Sequence, residues 1–149
     1  MARIEGEITI RCPVEAVFDC VADQTNEPHY NPSMVRAEKI TPGPIGKGTQ
    51  FRSTVVSAGR TADMLIELTD YDRPRLLSSS TSMTQADIDY VVRFEPVTAG
   101  TRMSWSGRVR PRGALRVLAP LIGWVGRRQE QRIWQSLKRH LENTPVGDV

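Results

Sequence analysis

A chain of 149 residues with net charge +3 and two cysteines is one domain's worth, long enough to bury about two-thirds of its unfolded surface without a disulfide or metal staple. Cys12 and Cys20 stand eight apart, a spacing that fits neither a zinc knuckle nor a redox pair, and His29 and His140 lie too far apart to complete a metal site. The longest apolar run, Val117 to Val125, is far short of the ~18 residues that a membrane-spanning helix requires, and the amino terminus lacks a charged region leading into an apolar core, so a reducing, cytoplasmic setting is expected.

Residues 3 to 11 alternate, with Ile4, Gly6, Ile8 and Ile10 on one face and charged or hydroxyl side chains on the other, the pattern of a half-buried strand. Pro13 then suits a first helical position, Glu15 complements a helix N-terminus, and Val14, Val17, Phe18 and Val21 form an apolar stripe that predicts a short helix to about Asp23. The stretch 24 to 33, rich in proline and asparagine, predicts a turn of helix and a loop. A second strand over 34 to 41 ends in the glycine-proline cluster Thr41 to Thr49. Gly46-Lys47-Gly48-Thr49 invites comparison with a phosphate-binding loop, but Thr41 stands where that motif needs glycine, and the segment runs into a strand rather than a helix N-terminus.

Five further strands are predicted at about 49 to 57, 61 to 71, 75 to 83, 87 to 95 and 101 to 110, with connections short enough for antiparallel meander pairing. Their inward sets are Phe51, Ser53 and Val55; Met64, Ile66 and Leu68; Leu77, Ser79, Thr81 and Met83; Ile88, Tyr90, Val92 and Phe94; and Met103, Trp105, Gly107 and Val109. On the strand over 61 to 71 Leu65 competes with its neighbours, and a slip of one residue there exchanges the faces, turning Asp63 and Glu67 inward.

The stretch Pro111 to Asn143 supplies the principal helix. From Arg127 it is amphipathic, with Ile133, Trp134, Leu137 and Leu141 on one side. From Leu115 to Val125 it is apolar almost all round, which predicts contact on more than one side, and at Pro120 it either begins again or kinks. Charge concentrates here: between Arg102 and Lys138 Glu130 is the lone acid among nine basic residues. That asymmetry raises an anionic partner, set against a plain solvated arginine face. Nucleic acid is not the expected one, because exposed aromatics do not interleave with the arginines and no recognition motif is present.

Pro13-Val-Glu-Ala-Val-Phe-Asp-Cys-Val-Ala-Asp23, then Asn26, Tyr30-Asn31-Pro32, Gly46-Lys-Gly48-Thr-Gln-Phe51, Tyr71-Asp-Arg-Pro74-Arg75, Phe94-Glu-Pro96 and Gly100-Thr101-Arg102 resemble the helix-grip SRPBCC or START-like superfamily. In particular they resemble its polyketide cyclase/dehydrase and lipid transport branch. The resemblance covers nearly the whole chain and implies an α+β fold. In it a seven-stranded antiparallel sheet wraps around a long C-terminal helix, two short helices follow the first strand, and residues 1 to 143 form one domain with a loose tail from 144 to 149. Relatives commonly carry tryptophan before Asn-Pro; Tyr30 here either brings a hydroxyl to the cavity mouth or packs as a loop aromatic on the sheet.

Such a fold encloses a cavity, and the residues expected to line it are Tyr30, Phe51, Ser53, Met64, Ile66, Ser79, Thr81, Tyr90, Val92, Met103, Trp105, Leu118, Ile122 and Val125. The inward set holds no His, Asp, Glu, Lys or Cys. An apolar space with sparse hydroxyls suits a small hydrophobic ligand, and methionine adapts to irregular shapes. The leading expectation is therefore a carrier or sensor of a lipid-, polyketide- or isoprenoid-like molecule, with no cofactor and no metal. A cyclase or dehydratase drawing on Asp63, Glu67, His29 or Tyr90 is the alternative, and a protein-interaction module built on the terminal helix is a third. Residues 115 to 125, with Trp124 among arginines, are expected either to close the open end of the sheet or to cover the cavity entrance and touch a membrane surface transiently.

Overall fold

The alternation at the start of the chain becomes strand β1, Ala2–Ile10, with Ile4 and Ile10 buried. The computed structural model describes residues 2–57 and 59–143; the tail expected from 144 to 149 lies outside them. Helix α1, Val14–Ala22, starts one residue after Pro13, whose carbonyl accepts the first helical bond from Val17 N–H at 3.1 Å. Asp23 then opens a 3₁₀ turn, Gln24–His29, its carboxylate accepting from Thr25 N–H at 3.0 Å and Thr25 Oγ1 at 2.6 Å. An Asp side chain that satisfies the free N–H groups of a new turn fixes where the chain bends.

Six strands follow: β2, Met34–Lys39; β3, Gln50–Ser57; β4, Arg60–Asp72; β5, Leu76–Ser82; β6, Ala86–Val97; and β7, Gly100–Pro111. They pair antiparallel in the order β1-β7-β6-β5-β4-β3-β2, so β2 to β7 form a meander and β1 completes it against β7. The concave face carries the expected alternate residues. In β4 Ile66 and Leu68 are buried while Leu65 faces outward, 39% exposed. The register is therefore the unslipped one: Asp63 is exposed and accepts from Thr54 Oγ1, and Glu67 accepts from Gln50 Nε2 on the convex side. Arg73, in the β4–β5 turn, clasps Asp19 of α1 with two bonds of 2.7 and 2.8 Å, a paired geometry that orients the short helix against the sheet.

After β7 the chain makes a second 3₁₀ turn, Gly113–Leu118, and then the 25-residue helix α2, Ala119–Asn143. The helix begins afresh rather than kinking, because Pro120 falls in its first turn, where a missing N–H leaves no bond unmade. Its C-terminal half is tied down firmly. Lys138 Nζ donates to Thr9 carbonyl at 2.7 Å, Glu142 accepts from Arg11 N–H at 2.9 Å, and Cys12 Sγ donates to Leu141 carbonyl at 3.3 Å. Burial pushes both thiols up, Cys20 to about 11 with help from Asp23 and Cys12, so they are packed groups rather than reactive ones.

The first half of α2 corrects the expectation of contact on more than one side. It approaches β1 with its small residues: Ala119 and Gly123 are buried, a Cβ at Gly123 would stand 3.2 Å from that of Ala2, and Arg127 donates to Arg3 carbonyl. With the backbone that close, the large apolar residues point away, and Val117, Leu118, Leu121, Trp124 and Val125 are exposed. Within the described residues no helix is long and apolar enough to cross a membrane.

Candidate functional site

Between the concave face of the sheet and α2 lies a cavity of about 140 Å³. Its walls are Met34 from β2, Met64 and Ile66 from β4, Leu77, Ser79 and Thr81 from β5, and Ile88, Tyr90 and Val92 from β6. Val21 of α1, Gln24 and Glu27 of the first 3₁₀ turn, and Glu130 and Trp134 of α2 complete the lining.

Six of the residues expected from sequence thus meet here: Met64, Ile66, Ser79, Thr81, Tyr90 and Val92. The structure places the others elsewhere. Phe51, Ser53 and Met103 are wholly buried and spent on core packing, and Trp105 lies against Trp134 at 5.8 Å between ring centres. Tyr30 is buried against Trp134 and His140, so it is a packed aromatic whose neighbours include the helix. Ile122 packs half-buried on the core, while Leu118 and Val125 are on the outside of the molecule because the small residues of α2 take the sheet side. His29 is exposed and stacks parallel on His140 at 6.2 Å.

Two carboxyl groups outside the expected set belong to the site. Tyr90 OH donates to Glu130 Oε2 at 2.6 Å and accepts from Trp134 Nε1 at 3.0 Å, giving a chain of three side chains across the cavity wall. Burial pushes the Glu130 carboxyl up, against the pull of its hydrogen-bond donors, and pushes the Tyr90 phenol far above its ordinary value, with the Glu130 charge adding to the effect. Glu27 accepts from Asn31 Nδ2 at 3.1 Å, yet burial, reinforced by Glu130, pushes it up to about 7. Among the described residues neither carboxyl forms an ion pair. Desolvated acids without a cation hold their protons to higher pH than solvated ones.

Glycine makes the geometry available. Tyr90 pairs with Gly107 across β6 and β7, and a Cβ there would stand 2.7 Å from Tyr90 Cδ2. The phenol therefore lies flat over bare backbone. Gly6, paired with Trp105 across β1 and β7, does the same for that indole. The two flattened rings flank Trp134.

Glu130 does carry a sequence signal: it is the lone acid of the basic stretch and shares the face of Ile133, Trp134, Leu137 and Leu141. Glu27 carries none, because a 3₁₀ turn has no periodicity long enough to show which side is buried.

Chemically, the cavity offers apolar walls and one polar corner able to donate through a carboxyl or a phenol and to accept through whichever carboxyl is ionised. Among the described residues no group of His, Cys, Asp or Glu suits a metal ion.

The model of a family described as polyketide cyclase / dehydrase and lipid transport matches residues 1–142. No curated protein matches the chain. Among solved structures, a START superfamily protein from Mycobacterium smegmatis is similar with a TM-score of 0.80 at 11% identity, over 95% of this chain and 98% of that one. The protein TTHA0849 from Thermus thermophilus is similar with a TM-score of 0.79 at 17% identity, over 92% and 94%. The Zhui aromatase/cyclase from Streptomyces sp. R1128 is similar with a TM-score of 0.75 at 16% identity, also over 92% and 94%. At these identities the likeness is one of fold.

Proposed function

Because the chain belongs to the polyketide cyclase/dehydrase and lipid transport family, we propose that it binds a small, mostly hydrophobic molecule between its sheet and α2. The apolar body rests on Met64, Ile66, Leu77, Ile88 and Val92, and a carbonyl or hydroxyl group turns to the corner made by Tyr90, Glu130 and Glu27. The observation that carries this reading is the convergence of those three polar side chains on a cavity whose other walls are largely apolar, the arrangement by which a pocket fixes a ligand's orientation. Mass spectrometry of an organic-solvent extract of the purified protein tests it. A defined hydrophobic compound recovered from the protein, and lost from a Ser79→Phe variant, is the expected result; repeated recovery of nothing, with no thermal shift from a panel of small aromatic and isoprenoid compounds, counts against it.

A second reading, a cyclase or dehydratase, is favoured by the Glu27 carboxyl lying near pH 7 beside a second raised carboxyl. Acids tuned toward neutrality exchange protons with substrate at low cost. An ionised Glu27 takes the proton beside a substrate ketone while Tyr90 turns its one O–H from Glu130 to the ketone oxygen, a protonated Glu130 donating to the phenol oxygen in its place; the enolate then expels a β-hydroxyl, which leaves as water with the proton from Glu27. Glu27→Gln is expected to abolish turnover while leaving ligand binding and fold in place. If turnover survives it, this chemistry is excluded.

A further inference from the structure

Five large apolar side chains, Val117 and Leu118 at the end of the second 3₁₀ turn and Leu121, Trp124 and Val125 at the start of α2, are between 44% and 80% exposed. They fall within nine consecutive residues, whereas the other exposed large apolar residues, Val35, Ile40 and Leu65, lie on strand β2, just beyond it and on β4. An apolar patch concentrated in this way marks a contact surface. Its charge says what kind. From Gly113 to Gln129 the basic residues are Arg116, Arg127 and Arg128, and acids are absent.

The outer face of α2 continues the pattern. At roughly 100° per residue, Leu121, Val125, Arg128, Arg132 and Arg139 share one face, so the stripe is apolar in its first two turns and cationic afterwards. Arg128 stacks on Trp124 with its guanidinium carbon 5.8 Å from the ring centre. Among the described residues Arg128, Arg132 and Arg139 form no ion pair, although surface arginines elsewhere, such as Arg110 and Arg112, are matched to Asp89 and Asp87. The same three arginines, with Trp124 and Val125, line a groove of about 650 Å³ on this side of the molecule.

We propose that this face docks on an anionic lipid bilayer. The apolar end of α2 and the preceding turn enter the boundary between headgroups and acyl chains, Trp124 sits at headgroup depth, and the arginine row meets the lipid phosphates. A second copy of the chain is the disfavoured occupant, since an isologous contact would set the unpaired arginines of two copies against each other. The proposal goes beyond ligand binding in the cavity and stands without it.

Vesicle flotation decides it, with phosphatidylcholine vesicles prepared with and without phosphatidylglycerol. Binding is expected to the anionic vesicles, weakened by added salt, and at least about fivefold weaker for each of Arg128→Glu and Arg132→Glu. Leu121→Asp is expected to abolish it while leaving the urea midpoint unchanged, because Leu121 is exposed. Quenching by brominated lipid is expected to vanish in Trp124→Phe with binding retained, since Trp105 and Trp134 are buried. Failure to float with anionic vesicles, equal binding to neutral ones, indifference to these substitutions, or a dimer in solution that Leu121→Asp dissociates would overturn the proposal.

Discussion

The Tyr90 hydroxyl is the joint of the site, since it donates to Glu130 and accepts from Trp134. Tyr90→Phe strips both of a buried partner. Its expected cost is about 1–3 kcal/mol, the penalty for leaving desolvated polar groups unsatisfied, and urea denaturation measures it. Glu27 gives the site a pH signature. The folded protein holds its proton up to about 7, whereas the unfolded chain releases it near 4.5. The resulting stabilisation is complete below pH 4.5 and is lost as pH rises to about 7, on the order of 2–3 kcal/mol. Glu130 is shifted the same way and adds to the trend; Glu142, held low by Lys138 and by the Arg11 N–H, acts oppositely and only as pH falls through the ordinary carboxylate range. The urea midpoint is therefore expected to decline between pH 4.5 and 7, and Glu27→Gln to flatten that slope. A wild-type midpoint that rises across this window would mean that Glu27 is ionised in the folded state.

Strands and helices were legible to the extent that their side chains repeat. Period-two alternation located the inward faces of β3 to β7, and the stripe through Ile133, Trp134, Leu137 and Leu141 located the buried side of α2. What did not show is how near two elements come, because that depends on residues with little or no side chain. Ala119 and Gly123 bring α2 against β1 and send the larger residues outward, which is why Leu118 and Val125 are not on the cavity. The glycines under Tyr90 and Trp105 act likewise. Gly107→Ala sets a Cβ 2.7 Å from the Tyr90 ring, so it is expected to destabilise by about 1–3 kcal/mol and to weaken ligand binding by tilting the hydroxyl away from Glu130. Gly126→Ala is the contrast. Its new Cβ meets the flexible end of Ile4, and the ~1 kcal/mol gain in helix propensity offsets the adjustment, leaving the urea midpoint nearly unchanged.

For the molecule as a whole, cavity volume sets the scale of the ligand. A dry void of about 150 Å³ accommodates benzene, and sites for larger organic ligands span roughly 300–1,000 Å³. The cavity of about 140 Å³ therefore matches a single ring in the closed form. Thermal-shift assays are expected to respond to single-ring phenols and ketones more strongly than to long-chain fatty acids, and Ser79→Phe to remove the response. A larger shift with the fatty acids would mean that α2 moves aside to enlarge the space.

The pairing of β1 with β7 also bears on how the chain is made. The meander from β2 to β7 joins strands adjacent in sequence, so each hairpin has its partner soon after synthesis. The first strand has to wait for the last: its partner is Gly100–Pro111, and α2, which covers it, comes later still. During synthesis β1 therefore emerges before the rest of the sheet and is the last of its strands to be paired, with Ile4, Ile8 and Ile10 uncovered until β7 and α2 have followed. Its glutamates and arginines, alternating with those isoleucines, keep that waiting strand from pairing with another like itself.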